Sequence, residues 1–260
     1  MARRPALPHG GRAHGLAPED DVVSEAMSAP RRGKRERNRA EMRERILTAV
    51  REMVLQLGTT DFTMAELAEA ASVSLVTPYN YFGSKAGLLF GLLDMEHARE
   101  EAGRRLAAEE RDGLELTRDF AESRVRFYLE DAPLFRPVFD GIFALDPRAE
   151  LQPARSAPWI DLWEVGLRVA HEAGDLVAGL EPRPIAHSLH LQFSMILRSW
   201  AAGILDDERF ALETDHGIAL ILSGASAPSR RDVWLNQLRD SHARLAEHDA
   251  ATGLPRFRGA

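Results

Sequence analysis

The 260-residue chain contains no cysteine, so disulfides, thiolate metal sites and cysteine nucleophiles are excluded. It has no apolar run approaching ~18 residues, so no membrane span is expected. The N-terminus lacks the apolar core of a signal peptide, and the expected compartment is the cytoplasm. No stretch alternates β-branched and polar residues over the length of a strand, and no internal repeat is visible. The H-E-x-x-H, G-x-S-x-G, P-loop and G-x-G-x-x-G motifs are all missing. Neither an enzyme nor a cofactor is therefore expected. Lysine is scarce as well: arginine outnumbers it 31 to 2, as in proteins of GC-rich genomes.

The composition is that of a globular protein, 45% apolar and 28% charged. A net charge of −7 by itself argues against a nucleic-acid partner, but the charge is unevenly placed. Residues 1–90 hold 13 Lys/Arg against 11 Asp/Glu, whereas residues 91–260 hold 20 against 29. Within residues 31–45 there are eight basic side chains against three acidic ones. That run, with Arg35, Arg37 and Arg39, is either a solvated charge run or an arm that contacts phosphates.

The chain is organised around Thr63 to Lys85, TMAELAEAASVSLVTPYNYFGSK. Thr63 and Glu66 have the spacing of a capping box, so a helix is predicted to begin there. Met64, Leu67, Ala68 and Ala71 form its apolar face. Ala71-Ser72-Val73 reads as a turn, and Ser74 as the N-cap of a second short helix. That helix carries Leu75, Val76, Thr77, Tyr79, Asn80 and Tyr81. Gly83-Ser84-Lys85 then ends it and opens a third.

This run resembles the helix-turn-helix of the TetR/AcrR family of bacterial transcriptional regulators. Thr63, Leu67, Ala68, Val73, Ser74, Thr77, Tyr79, Phe82, Ser84, Lys85 and Leu88 stand in register with the family pattern. Two positions depart from it. Ser72 replaces the usual glycine, at a cost on the order of 1 kcal/mol if its φ is positive. Pro78 replaces a core Leu or Ile, tolerable close to a helix start. The resemblance implies an all-α protein that recognises double-stranded DNA at a palindromic operator as a homodimer. It implies that Leu75 and Val76 read bases through thymine methyls, with Thr77 and Asn80 adding hydrogen bonds. Thr63, Tyr79, Tyr81 and Lys85 would hold phosphates, and Ser74 would cap the reading helix. It further implies a small-molecule effector, apolar or aromatic, that releases a repressor from DNA. A helical scaffold or ligand-binding protein without DNA affinity is the competing reading.

The chain accordingly divides into an extension at 1–38, a DNA-binding domain at 39–86, a helical effector and dimerisation domain at 87–248, and a loose tail at 249–260. The first helix is predicted from Arg39 to Leu57, with Met42, Ile46, Ala49, Val50, Met53, Val54 and Leu57 on one face and Gly58 as its stop. The helix opening at Ser84 should continue through Leu106, with Gly113 as a break. Helices are then expected at 114–130, 133–143, 159–173, 184–202, 208–222 and 229–246, with the proline-rich 146–158 as a loop. Phe120, Phe127, Phe139, Trp159, Trp163 and Phe193 are candidates to line an effector pocket as a set; taken singly, each is better explained by core packing. His187 and His190 lie three apart, a spacing open to a metal pair, but no third ligand accompanies them. The apolar helices at 184–202 and 208–222 correspond to the family's dimer helices, or else form the core of a monomer.

Overall fold

The computed structural model describes residues 29–103, 112–148 and 152–253, and these form ten α-helices. They are α1 (Ala29–Leu57), α2 (Met64–Ala70), α3 (Val76–Phe82), α4 (Lys85–Gly103), α5 (Gly113–Glu130), α6 (Ala132–Leu145), α7 (Pro153–Glu172), α8 (Pro182–Ala201), α9 (Asp207–Ala225) and α10 (Pro228–Thr252). The all-α expectation holds, with a single bridge, Leu176 to Ser226, as the only extended pairing among the described residues. The expectations for residues 1–28, Leu106 and 254–260 lie outside the described residues.

The chain divides into two compact units, Met1–Glu44 and Arg45–Ala260. In the first, α1 begins at Ala29, ten residues ahead of the predicted start. Arg, Glu, Lys and Ala all favour helix, and Pro30 is acceptable in a first turn. The basic run is therefore helical, with Arg35, Arg37 and Arg39 exposed.

In the second unit, the remainder of α1 buries Ile46, Leu47, Val50 and Val54. Leu57, predicted to face inward, is exposed, while Leu47 takes a core place. Gly58 ends the helix with φ +65° and returns its N–H to the Val54 carbonyl at 2.8 Å. The larger layer of helices is held by α5, α7, α8 and α9, with α10 against α9. Close approach of α5 and α7 requires glycine: a Cβ on Gly166 would lie 2.5 Å from the Gly113 carbonyl oxygen. Gly113 is thus a crossing point at the first position of α5, capped by Asp112, which accepts from the Leu114 and Glu115 N–H groups. The predicted break is a helix start.

Two further differences have clear causes. The region predicted as a loop at 146–158 is helical from Pro153, because proline suits a first helical position and Pro158 forfeits only one backbone bond. The last helix buries Trp234, Ser241, Leu245 and His248, whereas Val233 is 57% exposed. It also runs to Thr252, so residues 249–252 of the expected tail are helical, and Asp249 pairs with Arg209.

Candidate nucleic-acid interface and effector cavity

The short helices α2 and α3 are fixed by local chemistry. The Thr63 hydroxyl accepts from the Glu66 N–H at 3.2 Å, and the Glu66 carboxylate accepts from the Thr63 N–H at 2.7 Å. Those bonds from Thr63 hold the Glu66 carboxyl below its ordinary range. Met64, Leu67 and Ala68 are buried beneath this turn, as the spacing predicts. The turn to α3 passes through Ser72, which adopts φ +53°, the left-handed conformation that glycine tolerates best.

The start of α3 differs from the prediction. Ser74 does not cap a backbone N–H; its hydroxyl pairs with the Thr77 hydroxyl at 2.8 Å. The Ser74 carbonyl instead accepts from the Thr77 N–H at 2.9 Å. Pro78, having no N–H, could not have filled that role, and it is buried as the apolar residue of the helix. Ser74, Leu75, Val76, Tyr79 and Asn80 are exposed, with Leu75 at 53% and Val76 at 60%. Thr77 and Tyr81 are half-buried, Tyr81 beside the Phe82 ring at 6.3 Å. Gly83, at φ +73°, ends α3, and the Ser84 hydroxyl accepts from the Gly87 N–H to open α4.

Lys85 has a structural role that spacing did not reveal. Its ammonium donates to the Phe62 carbonyl at 2.6 Å and sits over the Phe62 ring, 4.6 Å from the centroid. Partial burial lowers its pKa. Thr63, next to Phe62 at the N-terminal end of α2, remains exposed.

A cavity of about 470 Å³ lies among α4, α5, α6, α7 and α8. Of the six aromatics predicted to line it, Phe120, Phe139, Trp159, Trp163 and Phe193 do so. Phe127 is not in the lining; it packs 5.4 Å from the His97 ring and 4.8 Å from Phe135. Phe120 meets Trp163 edge-on at 4.8 Å, and Trp163 meets Phe193 at 5.8 Å.

The polar lining was not legible from the aromatic pattern. His97 is buried, 3.1 Å from the Tyr128 hydroxyl and edge-on to Trp159 at 4.8 Å. Burial, with Arg124 nearby, pushes its pKa down to about 3. Arg124 is paired with Glu100 and flanked by the Phe120 and Phe127 rings. His190 is buried at the wall while His187 is exposed, so the pair does not converge on one point. Among the described residues no group of three or more His, Asp or Glu side chains could hold a metal ion. No helix among them is long and apolar enough to cross a membrane.

Residues 46–92 match the family profile "Bacterial regulatory proteins, tetR family". The chain is 36% identical over 75 residues to the HTH-type transcriptional regulator AlkX of Mycobacterium tuberculosis, a match that spans 26% of this chain and 36% of the relative. Thermus thermophilus FadR, a TetR family repressor solved in complex with lauroyl-CoA, superposes with a TM-score of 0.56 at 28% identity, over 72% of this chain and 97% of that one. SmeT, the repressor of the Stenotrophomonas maltophilia multidrug efflux pump SmeDEF, shares the fold at 21% identity and a TM-score of 0.51, over 72% and 91% of the two chains. The capped α2, the exposed α3 and the helical layer behind them agree with these similarities: residues 46–92 carry the N-terminal domain of the tetR family of bacterial regulatory proteins, and the chain shares its fold with a solved TetR family repressor.

Proposed function

We propose that this protein is a cytoplasmic, ligand-responsive repressor that binds a palindromic operator as a homodimer and is released by a small-molecule effector. It works by binding, without turnover. The observation that carries this reading is the outer face of α3, where Val76, Tyr79 and Asn80 stand exposed on a seven-residue helix, with Leu75 exposed just ahead of it. Such a helix fits the major groove. There Leu75 and Val76 meet thymine methyls, while Thr77 and Asn80 bond base edges or phosphates. Thr63, Tyr79 and Tyr81 position the backbone. Lys85 retains donors beyond the one given to Phe62, since an ammonium has three. Arg35, Arg37 and Arg39 supply further charge to phosphates.

Dimerisation through α8 and α9 is supported by their exposed apolar side chains, Leu191, Met195 and Leu220. Two copies would present α3 to half-sites about 34–36 Å apart. The effector reading is supported by the aromatic cavity and by the lauroyl-CoA held by the similar FadR. An effector that binds the DNA-incompetent arrangement better lowers operator affinity by linkage.

The test is binding of the full chain to fragments of the DNA upstream of its own gene, at two salt concentrations. The expected result is salt-sensitive binding to one inverted repeat, weakened at least about tenfold by Tyr79→Ala. Binding without sequence preference, or indifference to both Tyr79→Ala and Thr77→Ala, would return the chain to the scaffold reading.

A further inference from the structure

Two buried polar residues of one helix turn their side chains to the cavity. His190 and Ser194 are one turn apart on α8, 7% and 8% exposed, and both line the cavity. Neither side chain makes a hydrogen bond among the described residues. The contrast on the same helix is direct. Ser188 and Ser199 return their hydroxyls to the Pro184 and Met195 carbonyls at 3.0 Å, the usual outlet for a helical serine. Ser194 does not, and buried polar groups rarely go unbonded without a reason.

The charges around the cavity bear on the sign of the occupant. Arg124, the buried cation of the wall, is paired with Glu100 through one terminal nitrogen, which matches its charge, while its Nε has no hydrogen-bond partner among the described residues. Arg155 is drawn over the Phe90 ring, 3.4 Å from its centroid. Asp94 and Glu101 are exposed lining residues and carry negative charge. Burial, with His187 adding repulsion, holds His190 down to about 4, so it is an uncharged imidazole near neutral pH, able to donate from one nitrogen and accept at the other.

Building on the effector reading above, we propose that the cavity selects an uncharged, mainly apolar molecule bearing a single hydroxyl or carbonyl oxygen, which His190 and Ser194 bond together. The aromatic walls take its apolar body. The two side chains take its oxygen, and because Asp94, Glu101 and the Glu100 carboxylate on Arg124 outnumber the cations Arg124 and Arg155, a carboxylate would add to an already negative surround. A free alcohol, ketone, ester or lactone shares this chemistry.

Three probes of one shape separate the alternatives: 4-phenylphenol, 4-phenylbenzoate and biphenyl, each titrated calorimetrically into the full-length protein. The phenol should bind at least about tenfold tighter than either other probe, the worth of one well-made hydrogen bond. His190→Leu should erase the preference for phenol over biphenyl, and Ser194→Ala, a smaller change, should reduce it with the fold intact by circular dichroism. Tightest binding by the carboxylate, or an undiminished phenol preference in both variants, overturns the proposal. Equal binding of all three leaves the cavity a binding site and removes the assigned chemistry. Binding of the phenol without any change in operator affinity instead counts against the effector reading itself. Failure of all three probes to bind overturns both.

Discussion

Ser72 shows how one backbone angle sets a local cost. Its φ of +53° places a β-carbon where an L-residue is strained, in the turn that presents α3. Ser72→Gly should therefore raise stability by about 0.5–1 kcal/mol, measured by urea unfolding, and leave operator affinity unchanged. A loss of stability would mean that the serine makes a compensating contact. His97 gives a second prediction from a single side chain. Its folded pKa, about 3, lies below the ordinary 6.5, so the unfolded chain takes up the proton first. Its contribution to stability is complete above pH 6.5 and is lost as pH falls toward 3. Between pH 7 and pH 4.5 the native protein should lose on the order of 2–3 kcal/mol more stability than His97→Gln, since the unfolded chain gains about 1.36 kcal/mol for each pH step below its own pKa. Parallel urea titrations at the two pH values would show this, and equal losses would contradict it.

Between elements, helix contacts depend on small residues as much as on large ones. The α5–α7 crossing is set by Gly113 and Gly166. A Cβ on Gly166 would meet the Thr117 hydroxyl at 2.5 Å and the Thr117 backbone nitrogen at 2.8 Å. Both elements are rigid there, since Thr117 is buried and bonds the Gly113 carbonyl. Gly166→Val should cost about 2–3 kcal/mol and lower the thermal midpoint, whereas a change below about 0.5 kcal/mol would mean that the helices separate freely. Gly113 read in the sequence as a break, because a glycine that permits close packing and one that breaks a helix look alike until the facing helix is known. The same difficulty explains the last helix: Val233 and Trp234 are adjacent, and only the position of α9 decides which faces inward.

Over the second unit as a whole, the helices proposed to read DNA are linked to the layer around the cavity at a few tight points. Gly141 on α6 abuts the turn before α2, where a Cβ would stand 2.2 Å from the Thr60 hydroxyl oxygen. Arg51 on α1 reaches Asp131 at 2.5 Å and Glu96 at 3.4 Å, joining α1 to the start of α6 and to α4. A side chain at 141 must displace one part against the other. Gly141→Ala should shift operator affinity at least about fivefold, the lower range of measured coupling, while cavity occupancy changes little. Fluorescence anisotropy with labelled operator reads the first quantity and calorimetry the second. Unchanged operator affinity would show that this contact transmits nothing.

The order of amino acids alone dictates the local chemistry. Thr63 and Glu66 cap α2 because that spacing needs no distant partner. Gly58 and Gly83 end helices because their φ angles are positive, and the aromatic-rich middle of the chain became a buried cavity. The family resemblance was legible for the same reason, since the match at residues 46–92 rests on caps and turns set by neighbours in the chain. Packing settled what depends on a facing surface. It turned Lys85 toward Phe62, kept Phe127 out of the cavity, and directed His190 and Ser194 inward while Ser188 and Ser199 bonded their own helix. Periodicity reports which residues share a side of a helix; whether that side meets protein, solvent or an open cavity is fixed only by the elements packed against it.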